Sequence, residues 1–174
     1  MATISASVDT FVGPITVTSD SRSIVRLEWS TSPEATDDSV LIPAEEAAAS
    51  DPILAEAVAQ LRAYFDGRLG DFDLPVDLGQ VSNVARAVLT TLAEKVPAGT
   101  TVTYGQLAEA SGTGIPARAV GGIMGLNPIP IIVPCHRVVA GDGLGGYSGG
   151  LPGHELETKR RLLEFEDALP QPLF

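Results

Sequence analysis

The 174-residue chain contains a single cysteine, Cys135, and the next residue, His136, is one of only two histidines. A thiol reacts as its thiolate, and an adjacent imidazole is a suitable base to take the proton. The plainer alternative is a buried, inert cysteine beside a histidine satisfied in the core. The setting favours chemistry. A proline-rich approach (Asn127-Pro-Ile-Pro-Ile-Ile-Val-Pro134) fixes the backbone before Cys135, and a glycine-dense loop, residues 141–150, follows it closely. In Glu164-Phe-Glu166-Asp167 the acids read either as a solvated helix face or as a source of a carboxylate that orients the imidazole. Gly141, Gly143 and Gly146 match G-x-G-x-x-G, but no second strand follows, so a dinucleotide site is rejected. There is no phosphate-loop lysine, and one Cys with two His gives no zinc-ligand spacing.

Several elements must hold these residues. Residues 11–18 and 24–29 alternate apolar and polar side chains and predict two strands with a turn at 20–23. Residues 30–50 read as a surface loop. Asp51 and Pro52 have the types of an N-cap and first helical residue, opening a helix with Ile53, Ala57, Leu61, Tyr64 and Phe65 on one face. Turn formers over 71–79 place a domain boundary near 71–81. Beyond it, Val84, Val88, Leu89 and Leu92 make a helical stripe that stops before Pro97. Thr103 and Gln106 have capping-box spacing. After the break at 111–114, Pro116 opens a small-residue helix, Ala117-Arg-Ala-Val-Gly-Gly-Ile-Met124. The pattern is helix-turn-helix, and its small residues suit either tight helix packing or close approach to a partner surface. A last helix is expected around 158–169, with a surface tail from Pro170.

Residues 1–80 carry 4 basic and 14 acidic side chains, and residues 81–174 carry 7 and 8, so the net charge of -11 sits almost wholly in the first half. The second half can approach a phosphate backbone, although it has no strongly basic stripe. No apolar run reaches the roughly 20 residues of a membrane helix, and the N-terminus lacks the pattern of a signal peptide. With one cysteine there is no internal disulfide, so a cytoplasmic protein is expected.

Asn127-Pro-x-Pro-(x)3-Pro134-Cys-His-Arg-Val138 resembles the O6-alkylguanine-DNA alkyltransferases (methylated-DNA–protein-cysteine methyltransferases). Thr103-Tyr104-Gly, Ala117-Arg118-Ala-Val-Gly-Gly122, Gly145-Gly-Tyr147-Ser148-Gly-Gly150 and Lys159-x-x-Leu162-Leu163-x-x-Glu166 follow the family's order. The similarity is strong over 84–167 and looser before it, through the Gly-Pro-Ile strand and the Gln60 to Gly67 helix. It implies an N-terminal α/β domain with a ribonuclease-H-like sheet (1–80). It also implies a mainly α C-terminal domain with a helix-turn-helix (81–174) that binds DNA and transfers the alkyl group. The implied reaction is irreversible, single-turnover transfer from O6-alkylguanine, extending to O4-alkylthymine, onto Cys135 of a monomer, without cofactor or metal.

The resemblance also implies roles. His136, through a water and backed by Glu166, takes the thiol proton. Asn127 braces the turn, and Tyr104 serves guanine N3. Arg118 fills the stack left by a flipped base, while Ala117, Ala119 and Gly121 bring the recognition helix close to the minor groove. Tyr147 and Ser148 line the pocket, with the Ser148 N–H near O6 and the carbonyls of Cys135 and Val138 on the exocyclic amine. This chain departs from the family at Val84-Ala-Arg-Ala-Val88-Leu89, where Phe-Gln-x-x-Val-Trp is common. It also lacks the N-terminal zinc ligands of some members. Its acidic first half is a poor face to show DNA. Two other functions use part of the pattern: a non-enzymatic lesion binder, which lacks the nucleophile, and a cysteine hydrolase built on Cys135, His136 and Glu166.

Overall fold

The first third of the chain folds through two-residue periodicity. Strands β1 (Ile4–Val8), β2 (Ile15–Ser19) and β3 (Ile24–Trp29) turn Ala6, Val8, Ile15, Val17, Ile24 and Leu27 into the core. β1 pairs antiparallel with β2, and β2 with β3. A short β4 (Val40–Leu41) lies parallel to β1. The result is a mixed four-stranded sheet of order β3-β2-β1-β4. The computed structural model describes residues 2–30 and 40–169. Two differences from the sequence-based reading stand out. β1 was not anticipated, and β2 begins at Ile15 instead of residue 11. Its start is delayed by a turn in which Gly13 N–H donates to the Thr10 carbonyl at 3.1 Å and Gly13 takes a φ of 104°.

Residues 40–50 are not loop throughout. After β4 comes a 3-10 turn, Ala44–Glu46, and then a one-turn helix, α1 (Ala47–Ser50). Residues 31–39 of that expected loop, and the expected tail from 170, lie outside the described residues. Helix α2 (Pro52–Phe65) starts as its cap predicts: Asp51 accepts from Ile53 N–H and Leu54 N–H. Such a cap contributes about 1 kcal/mol. Its buried stripe is Leu54, Ala57, Val58, Leu61 and Tyr64. Ile53 and Phe65 fall at the edges, with Phe65 edge-on to Phe11 at 5.4 Å. α2 covers the sheet.

A second compact unit follows. One unit is Met1–Gln80 with Pro128–Ile132, and the other is Val81–Asn127 with Val133–Phe174. In the second, Ser82 caps α3 (Asn83–Lys95), which buries Ala85, Val88, Leu89 and Leu92. Val84, expected on that stripe, points outward at 39% exposure because Ala85, one residue on, takes the inward position. Two-residue strands β5 (Val102–Thr103) and β6 (Val138–Val139) pair in parallel. α4 (Tyr104–Ser111) and α5 (Ala117–Met124) pack together across the intervening turn as a helix-turn-helix. The capping box at Thr103 forms, with Gln106 N–H on the Thr103 hydroxyl and Thr103 N–H on the Gln106 side chain. The last helix, α6 (Glu155–Phe165), starts three residues earlier than expected. It also ends earlier, because Asp167 turns to a φ of 57°. The fold is thus a mixed α/β sheet unit followed by a mainly helical one.

Candidate active site

The chain leading to Cys135 contains one strained residue. Ile131 takes a φ of 74° while fully buried, a conformation that a β-branched residue adopts only when its surroundings dictate it. Asn127 Nδ2 donates to the Val133 carbonyl at 2.9 Å and closes the proline-rich turn. Cys135 then begins a single 3-10 turn, Cys135–Arg137, whose end is tied by Val138 N–H on the Cys135 carbonyl.

The thiol is 5% exposed. Burial pushes its pKa up to about 11, against the opposing pull of a hydrogen bond from Asn127 and the charge of Lys159. Cys135 therefore rests as a neutral thiol at pH 7 and needs a base to react. His136 is fully buried beside it in sequence. Its Nε2 lies 2.7 Å from Glu166 Oε2. Glu166 is ionised: burial opposes its charge, but the hydrogen bonds from His136 and Arg137 and the Arg137 charge outweigh it and hold its pKa down at about 2. Nε2 therefore carries the proton and donates it to the carboxylate. That leaves Nδ1 as the basic atom, and Nδ1 has no hydrogen-bond partner among the described residues. Burial lowers the imidazole pKa, partly countered by Glu166, so the ring is neutral and Nδ1 keeps a free lone pair.

Two residues whose types suggested no role are central to this arrangement. Arg137 is 2% exposed and grips both Glu166 oxygens, Nε to Oε1 at 2.9 Å and Nη2 to Oε2 at 3.1 Å. Lys159, fully buried on α6, donates to the Val138 carbonyl at 2.6 Å and the Gly146 carbonyl at 2.8 Å. It thereby staples the glycine loop to β6. Desolvation lowers its pKa to about 8. Pro-Cys-His-Arg-Val and the last-helix motif contain both residues, but nothing in the sequence marks a cation as internal.

The Tyr104 hydroxyl meets the same loop. It accepts from Gly146 N–H at 3.2 Å and donates to the Gly146 carbonyl at 3.4 Å. Gly145 makes this contact possible: at its φ of 72°, a Cβ there would lie 2.6 Å from the Tyr104 oxygen. Tyr147 packs over Gly149, where a Cβ would come within 2.7 Å of the ring. Ser148 is exposed. The carbonyls of Cys135 and Val138 each already accept one hydrogen bond, from Val138 N–H and Lys159, and retain a second lone pair.

Helix α5 presents a different surface. Ala117, Arg118, Gly121 and Gly122 are exposed, with Ala119 half-buried. Arg118 makes no ion pair or hydrogen bond among the described residues. A Cβ on Gly122 would meet nothing within 4 Å, and one on Gly121 would touch only Tyr104 at an ordinary 3.9 Å. Packing inside the protein therefore does not require these glycines, which favours the close-approach reading of their size. A separate cavity of about 420 Å³ is lined by Thr101, Val139, Ala140, Gly141, Gly143, Leu144, Arg160, Ala168 and Leu169. It contains none of the anticipated site residues. Its wall has a threonine hydroxyl but no cysteine, histidine or carboxylate to act as reactive thiol or base, unlike the Cys135 constellation.

Comparison with known proteins bears on both units. Residues 4–78 match the family model "6-O-methylguanine DNA methyltransferase, ribonuclease-like domain". Residues 83–168 match "6-O-methylguanine DNA methyltransferase, DNA binding domain". A methylated-DNA–protein-cysteine methyltransferase of Metallosphaera sedula is 39% identical over 158 residues, covering 90% of this chain and 88% of that protein. One from Methanopyrus kandleri is 50% identical over 111 residues, 63% of this chain and 78% of that one. The crystal structure of Mycobacterium tuberculosis O6-methylguanine methyltransferase superposes with a TM-score of 0.78 at 32% identity, over 98% of this chain and 97% of that one. The same organism's protein in complex with DNA gives 0.77 at 35% identity, over 94% and 92%.

Proposed function

The chain belongs to the 6-O-methylguanine DNA methyltransferase family, and we propose that Cys135 is the acceptor onto which it transfers the alkyl group of O6-alkylguanine in DNA. The chain is a methylated-DNA–protein-cysteine methyltransferase that repairs DNA directly, by alkyl transfer. One observation carries the residue-level reading. The only cysteine stands next to a buried histidine whose Nε2–H is held by an ionised Glu166 and whose Nδ1 is left bare.

The step balances as a direct displacement. Cys135 Sγ forms a bond to the alkyl carbon while the carbon–O6 bond breaks, and the bonding pair leaves on the guanine. The thiol proton passes, through a water, to His136 Nδ1. As the pair arrives on the base, the Tyr104 hydroxyl exchanges its Gly146 contacts for guanine N3 and donates its proton there, and the phenolate is reprotonated from solvent. The thioether has no leaving route, so each molecule acts once.

Recognition needs the base outside the stack, because an O6 substituent cannot reach a protein thiol within a duplex. The bare, small-residue face of α5, with Ala117, Ala119 and Gly121, suits close approach to the minor groove, and exposed Arg118 suits the space left by the flipped base. Asn127 braces the turn and steadies the sulfur. Val138, Tyr147 and Ser148 line the base pocket, which also admits O4-alkylthymine. The protein acts as a cytoplasmic monomer, in keeping with a free thiol in a reducing compartment. Residues 1–80 together with 128–132 form the sheet unit, and the rest of residues 81–174 carries DNA binding and transfer.

The test is stoichiometry. With excess O6-methylguanine duplex, guanine formation should stop at one equivalent per protein. Continued turnover would favour a hydrolase, and no guanine at all a lesion binder.

A further inference from the structure

The proton relay as proposed does not use the guanidinium behind it. Arg137 is almost completely buried, and its three nitrogens have three separate targets: Glu166 Oε1, Glu166 Oε2 and the Val96 carbonyl, the last at 2.8 Å. Glu166 is the residue that ends α6, and Val96 is the residue that ends α3. One side chain therefore holds two helix ends and both oxygens of the carboxylate that holds His136.

We propose that Arg137 is a positioning residue for the thiol-to-imidazole proton transfer. Its planar fork fixes Glu166 so that one oxygen faces Nε2–H, and its charge neutralises that carboxylate so that His136 need not. The proposal rests on the reading of Cys135 as alkyl acceptor. A bidentate arginine–carboxylate pair restrains the plane of the carboxylate as well as its position. A buried carboxylate must also be neutralised by something nearby. Without Arg137, His136 is still in reach of Glu166, 2.7 Å away. An imidazole protonated for that purpose can no longer take the proton of Cys135.

The charged and titratable groups around His136 among the described residues are Lys159 on α6, Glu166 at the end of that helix, and Arg137 and Cys135 on its own turn. Glu166 favours the protonated ring, whereas burial, Arg137 and Lys159 oppose it. Lys159 does not substitute for Arg137, because its ammonium is engaged by the Val138 and Gly146 carbonyls. Arg137 supplies a permanent positive charge at both Glu166 oxygens.

A merely structural tie between α3 and α6 makes a different prediction, and pH separates the two. The full chain has only two histidines, so nitrogen-15 NMR can follow His136 directly in wild type, Arg137→Gln and Arg137→Lys. Alkyl transfer from free O6-benzylguanine is measured over the same pH range. In Arg137→Gln, His136 should protonate at least about one pH unit higher than in wild type, a tenfold change in proton affinity. The acidic limb of the transfer rate should move with it, and raising the pH should recover much of the lost rate. Arg137→Lys, which keeps the charge but not the fork, should fall between. If Arg137→Gln does not fold, the lysine variant decides on the same criteria. His136 titrating as in wild type, with transfer slowed evenly at every pH, would overturn the proposal. Wild type that takes no alkyl group would instead overturn the function, while the NMR titration would still report on Arg137.

Discussion

The second unit has two faces built on opposite terms. Around His136 the polar side chains are buried and wired: Cys135, His136 and Arg137 are each at most 5% exposed, and the Glu166 side chain is 2% exposed. On α5, Ala117, Arg118, Gly121 and Gly122 stand in solvent, and Arg118 has no partner among the described residues. On the first face the carboxylate and the free Nδ1 of the imidazole are set by the fold, and the proposed transfer adds only a bridging water. The second is bare and open to a partner surface. On the proposed function, the first face preorganises the reaction chemistry and the second leaves recognition to the DNA.

Removing a member of the buried face should have the largest effect. Glu166→Gln keeps the shape but loses the charge shared by His136 and Arg137. Transfer should slow by roughly a hundredfold or more, as for loss of a positioned base. Breaking the buried pair should also lower stability by about 3–5 kcal/mol, measurable by urea unfolding. The same face predicts an acid-sensitive fold. His136 and Glu166 both have lowered pKa values. The unfolded chain therefore binds more protons than the native one from pH 6.5 downward through His136. Glu166 does the same from pH 4.5 to about 2. Stability should be constant above pH 6.5 as far as these groups are concerned, and fall in two stages on acidification. A glutamine at 166 should remove the second stage.

The open face breaks differently. Arg118→Ala should slow repair of duplex DNA severalfold or more while leaving attack on free O6-benzylguanine nearly unchanged. Equal losses on both substrates would remove its role in the stack. Gly122→Ala is a subtler probe. With nothing within 4 Å of the added methyl, the helix should gain about 0.5–1 kcal/mol. Duplex repair should nevertheless fall, because the methyl occupies the surface that approaches DNA. A variant more stable and equally active on duplex would return those glycines to chance.

The smallest effect concerns charge. Of the seven cations after residue 80, Arg137 and Lys159 are internal, leaving Arg86, Lys95, Arg118, Arg160 and Arg161 exposed. DNA affinity should therefore fall with salt at a log–log slope no steeper than about -4.5, counting five phosphate contacts. A steeper slope would mean that the acidic first unit contributes cations that this comparison assigns no part.

How much of this was legible in sequence follows the same division. Elements with local signals were read closely: Asp51 and Pro52 opening α2, the Thr103–Gln106 box opening α4, and the small-residue helix α5. The reaction was legible because Pro-Cys-His-Arg-Val is specific, and the pairing of His136 with Glu166 came through the family resemblance. What sequence did not reveal depended on long-range packing. β1 and β4 needed partners distant in sequence, Val84 and Ala85 exchanged inward positions through a small shift in helix phase, and α6 began earlier than its apolar residues suggested. Arg137 and Lys159 were the largest omission, because a cation in a motif looks the same whether it meets phosphate or a buried carboxylate. The docking of Tyr104 under Gly145 was invisible for a similar reason: glycine types do not say which side chain needs the space.

The most direct test of the account is the chemical fate of Cys135. Wild-type protein and Cys135→Ser are each incubated with duplex DNA carrying isotopically labelled O6-methylguanine, then digested and analysed by peptide mass spectrometry. One labelled methyl on the Cys135 peptide of wild type, and none anywhere on the serine variant, is the result expected. Label on another residue, or an unmodified Cys135 in folded protein whose DNA has lost its methyl group, would contradict it.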